Sequence, residues 1–323
     1  MSYFLPPDSG NRLPVSLLTG FLGSGKTALL NRLLRFPEMA RTAILINEFG
    51  DVALDQLFVQ ASEGEVTVLP NGCLCCDVRG DLEGAIGTLF ARRGRGDGPA
   101  FDRLLIETTG LADPAPIMQM LLNQPLIVDN FRLDAVVTTV DALHGARQLR
   151  EHPEAVNQVL LADRLVVTKT DLAEDAQVGE LVAALGSLNA IASVFHVPRT
   201  DVNPVDLFGA DRTHIAPQAP VHDHLHGIET FSLSCERPVE WRAFTNWLTA
   251  LKTSHADQLL RVKGVVHVAN EDEPIAINGV HHVFHPPMRL AQPDLSDRQS
   301  RIVFITRGLP RDIVEIGWRR MVQ

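Results

Sequence analysis

Short apolar runs alternate with longer amphipathic stretches between residues 15 and 190 of this 323-residue chain. The apolar runs predict buried strands, and the residues at helical spacing between them predict helices. The strands are expected at Val15–Thr19, Thr42–Asn47, Val66–Pro70, Arg103–Glu107, Asp134–Asp141 and Arg164–Thr168. The helices are expected at 77–93, 114–123, 142–150, 154–162 and 173–190. This alternation predicts a mostly parallel sheet with helices on both faces, although the run at 66–70 could pair antiparallel.

The pattern changes after residue 208. Residues 209–227 are rich in Gly, Pro, Gln and His and show little periodicity, which predicts a linker. Beyond the linker, a smaller α/β domain is expected, with strands at 230–234, 265–269, 281–284 and 301–306 and helices at 240–251 and 310–321. The expected fold class is therefore α/β, with a larger domain at 1–208, a linker at 209–227 and a smaller domain at 228–323.

A glycine-rich loop lies between the first predicted strand and the helix after it. Residues 20–27 read GFLGSGKT, which matches the P-loop pattern G-x-x-x-x-G-K-[ST] in full. Glycines let backbone N–H groups turn toward phosphates, and the helix N-terminus adds a positive dipole end. Lys26 is expected to reach the β- and γ-phosphates and Thr27 to ligate Mg²⁺. The nucleotide-binding residues expected here are Gly20, Gly23, Ser24, Gly25, Lys26, Thr27 and Ala28.

The tetrapeptide Thr168-Lys169-Thr170-Asp171 follows the predicted strand at 164–168. A carboxylate at Asp171 presents paired acceptors that match the ring N–H and exocyclic amine of guanine, whereas adenine lacks this pair of donors. The usual guanine motif begins with Asn, and here Thr168 stands at that position. The tetrapeptide favours guanine, with Thr168, Lys169 and Asp171 as contact residues. The alternative is an ordinary strand end followed by a helix-capping Asp.

Glu107-Thr108-Thr109-Gly110 stands where P-loop GTPases usually carry D-x-x-G. Glu107 is expected to hold Mg²⁺ and the Gly110 N–H to touch the γ-phosphate, so Lys26, Glu107 and Gly110 form the expected catalytic set. A buried acid paired with a lysine is the alternative for Glu107. Loops 48–60 and 110–117 are expected to respond to the γ-phosphate. The chain has no motif for a water-positioning glutamine, which predicts slow intrinsic hydrolysis.

Composition and charge restrict the partners of the chain. Its net charge of −10 and pI of about 5.6 argue against a general affinity for nucleic acid or for an anionic membrane. We find neither a signal-peptide pattern nor an apolar run long enough to span a bilayer. The few cysteines lack the spacing of a secreted disulfide framework. A cytoplasmic location is therefore expected.

The cysteines are concentrated in one segment. Three of the four lie in the run GCLCC at 72–76, after the predicted strand at 66–70. Thiolates at Cys73 and Cys75 would project to one side of an extended chain and suit a soft ion such as Zn²⁺ or Cu(I). The alternative is that one or more cysteines, Cys76 above all, are small buried residues. Further candidate ligands are Glu48 and Asp51, with His222, His224 and His226 as auxiliary ones.

These motifs together resemble those of the CobW family of metal-handling P-loop GTPases, which are related to the nickel-insertion GTPases of urease and hydrogenase. The shared segments are GFLGSGKT at 20–27, NEFGD at 47–51, NGCLCC at 71–76, ETTG at 107–110 and TKTD at 168–171, with LLRVKG at 259–264, GVHHVFHPP at 279–287 and DRQSRIVFITRGL at 297–309. The resemblance implies GTP-dependent handling of Zn²⁺ or Co²⁺, with the family's cysteine motif at Cys73, Cys75 and Cys76.

The leading hypothesis is a GTP-hydrolysing metallochaperone. It would use GTP and Mg²⁺, bind Zn²⁺ or Co²⁺ at the cysteines and deliver the ion to a client metalloprotein or a metal-using pathway, as a monomer or as a homodimer dependent on nucleotide or metal. The first alternative is a P-loop kinase-like enzyme acting on a small molecule, for which the chain shows neither an acceptor site nor a base. The second is a passive metal buffer or sensor with a vestigial nucleotide site.

Overall fold

The structure, a computed structural model, describes residues 12–47, 66–69, 78–97, 100–199, 202–209, 221–223, 227–290 and 298–322. The chain folds into two compact units. The larger unit contains Arg12–Ala184 and Ala192–Arg212, and the smaller unit contains Leu185–Ile191 and Thr213–Gln323.

The described strands of the larger unit form one parallel sheet. They are β1 (Leu13–Gly20), β2 (Thr42–Asn47), β3 (Val66–Leu69), β4 (Arg103–Thr108), β5 (Phe131–Asp141), β6 (Arg164–Thr168) and β7 (Ser193–His196). Their order across the sheet is β3-β2-β4-β1-β5-β6-β7, and each neighbouring pair is parallel. The predicted parallel sheet is confirmed, and the antiparallel alternative for the run at 66–70 is wrong. β1 is almost wholly buried, as expected of a strand covered on both faces.

Helices connect these strands. They are α1 (Lys26–Leu33), α2 (Val78–Arg95), α3 (Ala115–Asn123), α4 (Pro125–Asn130), α5 (Gly145–Glu151), α6 (Pro153–Leu160), α7 (Asp175–Leu188) and α8 (Pro204–Leu207), with a 3₁₀ turn at Pro37–Met39. All the predicted helices of this unit are present. The short helix α4 was not predicted; it begins at a proline directly after α3, because proline cannot continue a helix but is well suited to its first turn.

The smaller unit is built on an antiparallel sheet with helices. Its strands are β8 (Val221–Asp223), β9 (Ile228–Cys235), β10 (Leu259–Val266), β11 (Ile275–Val280), β12 (Val283–Phe284), β13 (Met288–Arg289) and β14 (Ser300–Arg307). Their order is β12-β11-β10-β14-β9-β8, and β13 also pairs with β11. The helices are α9 (Trp241–Ser254) and α10 (Arg311–Val322). Phe244, Phe304 and Trp318 contribute to the core of this unit.

Three predictions for the smaller unit need correction. The strand expected at 281–284 is limited to Val283–Phe284. The interval predicted as a linker contains β8, which pairs antiparallel with β9. The strand expected at 265–269 instead occupies Leu259–Val266, and it includes the buried residue Arg261. A charged residue at a core position breaks the apolar pattern, which is why the pattern placed this strand too late.

Candidate functional site

The loop between β1 and α1 is built around glycines in left-handed conformations. Gly20, Gly23 and Gly25 have φ angles of 143°, 72° and 92°. A Cβ atom at Gly20 would lie 2.2 Å from Thr139 Oγ1 and 2.5 Å from the Thr139 carbonyl oxygen, so only glycine fits there. The fully buried Ser24 hydroxyl lies 2.7 Å from the same Thr139 Oγ1. The predicted P-loop is therefore a packed turn held against β5.

Two side chains predicted to bind the nucleotide and its metal ion, Lys26 and Thr27, begin α1. Lys26 Nζ donates to the carbonyl oxygens of Gly20 at 3.0 Å and of Phe21 at 3.4 Å, so its ammonium group lies over the loop. Thr27 Oγ1 donates to Glu107 Oε1 at 3.0 Å. Ala28 follows them on the first turn of α1 and is exposed. The contacts predicted between these residues and a nucleotide stay predictions.

The pair formed by Thr27 and Glu107 suits Mg²⁺. Glu107, near the end of β4, is only 3% exposed, and the hydroxyl that it contacts belongs to the first turn of α1. A hydroxyl and a carboxylate are hard oxygen donors of the kind that Mg²⁺ selects, usually together with water and phosphate oxygens. The two groups are already in contact, so an ion at this point would need only a small separation of the side chains. The donor chemistry therefore fits the ion.

The turn after β4 lies directly against the P-loop. A Cβ atom at Gly110 would be 2.8 Å from the Leu22 nitrogen and 2.9 Å from Leu22 Cα, so a larger residue would displace one of the two backbones. The turn is closed by the Ala112 N–H, which donates to the Thr109 carbonyl at 3.1 Å. At the strand end, Thr108 Oγ1 donates to Thr19 Oγ1 at 2.8 Å. The ETTG segment and the P-loop therefore form one continuous surface.

The TKTD segment lies on the other side of the P-loop. Thr168 Oγ1 donates to the Ser24 carbonyl at 2.7 Å, so the residue that replaces the usual Asn holds the P-loop through a short hydroxyl contact. Lys169 has a φ of 56°, and its Nζ donates to the Gly23 carbonyl at 2.8 Å. Asp171 is exposed. This arrangement leaves the Asp171 carboxylate accessible to a base, as the guanine interpretation requires.

Three buried or half-buried polar residues of this region were missed in the sequence. Asp141, at the end of β5, is 1% exposed and forms an ion pair with Lys169 at 2.6 Å. Gln158 on α6 donates to the carbonyls of Gly110 at 3.2 Å and Ala112 at 3.0 Å. The neighbouring Asn157 donates to the Asp113 carboxylate at 3.1 Å. Two signals in the sequence could have indicated them: the polar residue Gln158 among the apolar positions of α6, and the acidic residue Asp141 at the end of a strand.

Most of the candidate ligands of the cargo metal lie outside the described residues: Glu48, Asp51, Cys73, Cys75, Cys76, His224 and His226 are outside them. The exception, His222, lies on β8. The described strands do locate the points from which two of these segments depart. Leu69, the last residue of β3, pairs with Asn47, the last residue of β2, and Asn47 pairs with Thr108 of β4. Residues 48 and 70 therefore follow strands whose last residues lie side by side with the ETTG segment at the same edge of the sheet.

Within the part of the chain that the structure describes, no group of three or more His, Cys, Asp and Glu side chains is arranged to hold a metal ion. Over the same residues, no helix combines the length and the apolar character needed to cross a bilayer.

Family models match both units. The model described as CobW/HypB/UreG, nucleotide-binding domain, matches residues 14–196. The model described as the C-terminal domain of cobalamin synthesis protein cobW matches residues 228–322.

Curated relatives match over most of their length. Zinc chaperone YjiA of Escherichia coli (strain K12) is 32% identical over 316 residues, covering 95% of this chain and 98% of that protein. Zinc chaperone CobW of Pseudomonas aeruginosa is 31% identical over 317 residues, covering 85% of this chain and 82% of that protein. Zinc-regulated GTPase metalloprotein activator 1 of Saccharomyces cerevisiae is 26% identical over 368 residues, covering 97% of this chain and 84% of that protein.

Solved structures agree with these matches. The crystal structure of Zn(II)-bound YjiA GTPase from E. coli superposes with a TM-score of 0.72 at 27% sequence identity, covering 97% of this chain and 100% of that one. A Zn(II)-bound triple mutant of YjiA GTPase gives a TM-score of 0.75 at 28% identity with the same coverage.

Proposed function

Because the chain belongs to the CobW family, we propose that it is a GTP-hydrolysing metallochaperone that carries Zn²⁺ or Co²⁺ to a client protein. Relatives named zinc chaperones and a relative named a zinc-regulated GTPase metalloprotein activator support this proposal. One structural observation carries the nucleotide part: the ETTG and TKTD segments, which are far apart in sequence, both contact the glycine loop that ends in GKT.

The residues of the loop hold the phosphates. Backbone N–H groups of the P-loop and the N-terminus of α1 bind phosphate oxygens, and Lys26 moves from its loop carbonyls to the β- and γ-phosphates. Thr27 and Glu107 would hold Mg²⁺, which would neutralise the charge that develops on the phosphates. The Gly110 N–H contacts the γ-phosphate. No glutamine motif positions the attacking water, so hydrolysis is slow until a partner or the cargo metal assists it.

The base side of the site selects guanine. The exposed Asp171 carboxylate accepts from the ring N–H and the exocyclic amine of the base, while the stem of Lys169 lies along the base. The Lys169 ammonium group is held by its ion pair with Asp141 and by its hydrogen bond to the Gly23 carbonyl. The position of the base is therefore coupled to that of the P-loop.

The cysteine segment takes up the cargo ion. Thiolates at Cys73, Cys75 and Cys76, assisted by Glu48 and Asp51, form a soft site suited to Zn²⁺ and Co²⁺. The strand before this segment and the strand before Glu48 end in one row with the ETTG strand. Binding of GTP therefore alters metal affinity, and the coupling is reciprocal: metal alters GTP affinity by the same factor.

A competitive titration tests the proposal. Zn²⁺ and Co²⁺ affinities are measured on the full chain, with and without Mg²⁺ and a non-hydrolysable GTP analogue, for wild type and for a double variant, Cys73→Ala with Cys75→Ala. Cys235→Ala is the matched control, because Cys235 lies on β9 of the smaller unit and outside the candidate site. We expect the nucleotide to raise metal affinity in wild type and in the control, and the double variant to lose the site.

If metal affinity is the same with and without nucleotide but falls in the cysteine double variant, the protein is a passive buffer or sensor. Metal affinity that needs neither would refute the chaperone function, and transfer of phosphate to an added small molecule would then identify a kinase-like enzyme.

A further inference from the structure

Helix α6 holds the turn that follows the ETTG segment. The Gln158 side chain is buried, at 1% exposure for the whole residue, and its amide Nε2 donates to two carbonyls of the turn, those of Gly110 and Ala112. These residues are 48 and 46 positions away in the chain. The amide therefore spans both sides of Leu111, and it fixes the peptide groups that flank the tip of the turn.

The preceding residue of α6 holds the end of the same turn. Asn157 Nδ2 donates to Asp113 Oδ2 at 3.1 Å, while Asp113 Oδ1 accepts from the Ala115 N–H at 2.8 Å, where α3 begins. The turn is thus fastened to α6 at successive points and leads directly into α3. Its opposite side lies against the P-loop, because a Cβ atom at Gly110 would meet the Leu22 backbone.

The Gln158 side chain is fully used as a donor but not as an acceptor. Among the described residues, its buried Oε1 atom has no hydrogen-bond partner. An apolar residue of similar volume would fill the same space but would remove the donor from the Gly110 and Ala112 carbonyls. The amide must therefore offer something beyond packing, and within the described part of the chain it holds the turn.

We propose that Asn157 and Gln158 are positioning residues that keep the Gly110 turn against the P-loop, and that they thereby give the site its discrimination between GTP and GDP. The inference rests on the proposed nucleotide function. We expect the turn to respond chiefly to the γ-phosphate, since Gly110 supplies the N–H expected to contact that group. The Gly110 carbonyl and the Gly110 N–H belong to neighbouring peptide groups that meet at the Gly110 Cα. Fixing the carbonyl leaves the chain fewer backbone conformations around the N–H, which favours the ligand that contacts this N–H, GTP, over GDP.

The test compares two nucleotides rather than one. Kd values for GDP and for a non-hydrolysable GTP analogue are measured with Mg²⁺ for wild type, Gln158→Met and Asn157→Ala. Methionine conserves the volume of glutamine and removes the donor. Gln177→Met is the matched control. Gln177 lies on α7 rather than α6, and its Nε2 also donates to a backbone carbonyl, that of Leu143.

We expect Gln158→Met to weaken the GTP analogue about tenfold, which corresponds to about 1.4 kcal/mol, and to leave GDP within about twofold. Asn157→Ala should shift the same ratio in the same direction by a smaller factor, and it keeps the test available if Gln158→Met folds poorly, since Asn157 is only half-buried. Steady-state kinetics should agree: kcat/KM for GTP falls by the same factor as the analogue affinity, while the inhibition constant of GDP does not change.

Other outcomes overturn the inference. Equal weakening of both nucleotides would mean that α6 merely supports the fold, and unchanged affinities would mean that the turn is held without it. A shift of the ratio in Gln177→Met would show that the effect is not specific to this turn. Failure of wild type to bind either nucleotide is a different result, because it refutes the proposed function itself.

Discussion

Replacement of Thr168 by valine tests the hydroxyl that ties the TKTD segment to the P-loop and that also lies 3.3 Å from the Val140 carbonyl. Valine keeps the β-branched shape and removes the hydroxyl that donates to the Ser24 carbonyl at 2.7 Å. Thr168 is 6% exposed and Ser24 is fully buried, so water cannot easily replace the lost donor. A buried acceptor that loses its partner costs about 1–3 kcal/mol. We expect this cost to be divided between the free energy of unfolding and the free energy of nucleotide binding.

Urea unfolding and titration with fluorescent GDP measure the two parts on the same protein. Each 1.4 kcal/mol that falls on binding raises Kd about tenfold. GDP and the GTP analogue should weaken equally, because the hydroxyl lies on the base side of the loop. Thr168→Ser retains the hydroxyl and serves as the control. The reasoning is refuted if Thr168→Val matches wild type in both measurements, or if the serine variant loses as much as the valine variant.

Three further predictions follow from contacts described above. Gly20→Ala should unfold about 1–3 kcal/mol more easily and lose nucleotide binding in calorimetry, because its Cβ overlaps Thr139, whereas Gly179→Ala on α7 meets open space and should do neither. Glu107→Gln should slow Mg²⁺-dependent GTP hydrolysis about 10- to 100-fold and leave Mg²⁺-free GDP binding nearly unchanged; equal loss in both assays would contradict a metal role. The hydrogen bond from Arg319 holds the pKa of Glu315 below its usual value of 4.5. The ionised pair therefore stabilises the fold at neutral pH, and this stabilisation is lost as the pH falls below 4.5 through the lowered pKa. An NMR titration should place the midpoint below 4.5 in wild type and closer to it in Arg319→Gln.

The fold of the larger unit was predictable because its strands are buried on both faces. Each such strand is a continuous apolar run, as in the segment that becomes β1, and the polar motifs at the strand ends mark where each run stops. The edge strand β7 was missed because it is short and mostly half-buried, so its apolar content is low. In the smaller unit, β10 carries a buried arginine, Arg261, and β11 carries Asn278 and Gly279, so neither shows a clear apolar alternation.

The candidate site was predictable as far as short motifs reach. GKT, ETTG and TKTD each indicate their chemistry within a few residues, and the topology of a parallel sheet brings them together. The contacts between these motifs were not predictable. Whether the hydroxyl of Thr168 could replace the usual asparagine depends on the distance to the Ser24 carbonyl, which no local pattern encodes. The hydrogen bond from Gln158 to a turn 48 residues away is equally invisible without the packing of α6.

The position of β3 at the end of the sheet has a consequence for local opening. In the described sheet, β3 pairs only with β2, whereas β1 is paired on both sides, with β4 and β5. Amide protons in a four-residue strand paired on one side exchange with solvent through small local fluctuations. Those of β1 exchange only when the whole sheet opens. Hydrogen exchange should therefore be fast at Val66–Leu69 and slow at Leu13–Gly20. The chain attaches its P-loop to the part of the sheet that opens last, and its cysteine segment begins at a part that opens early.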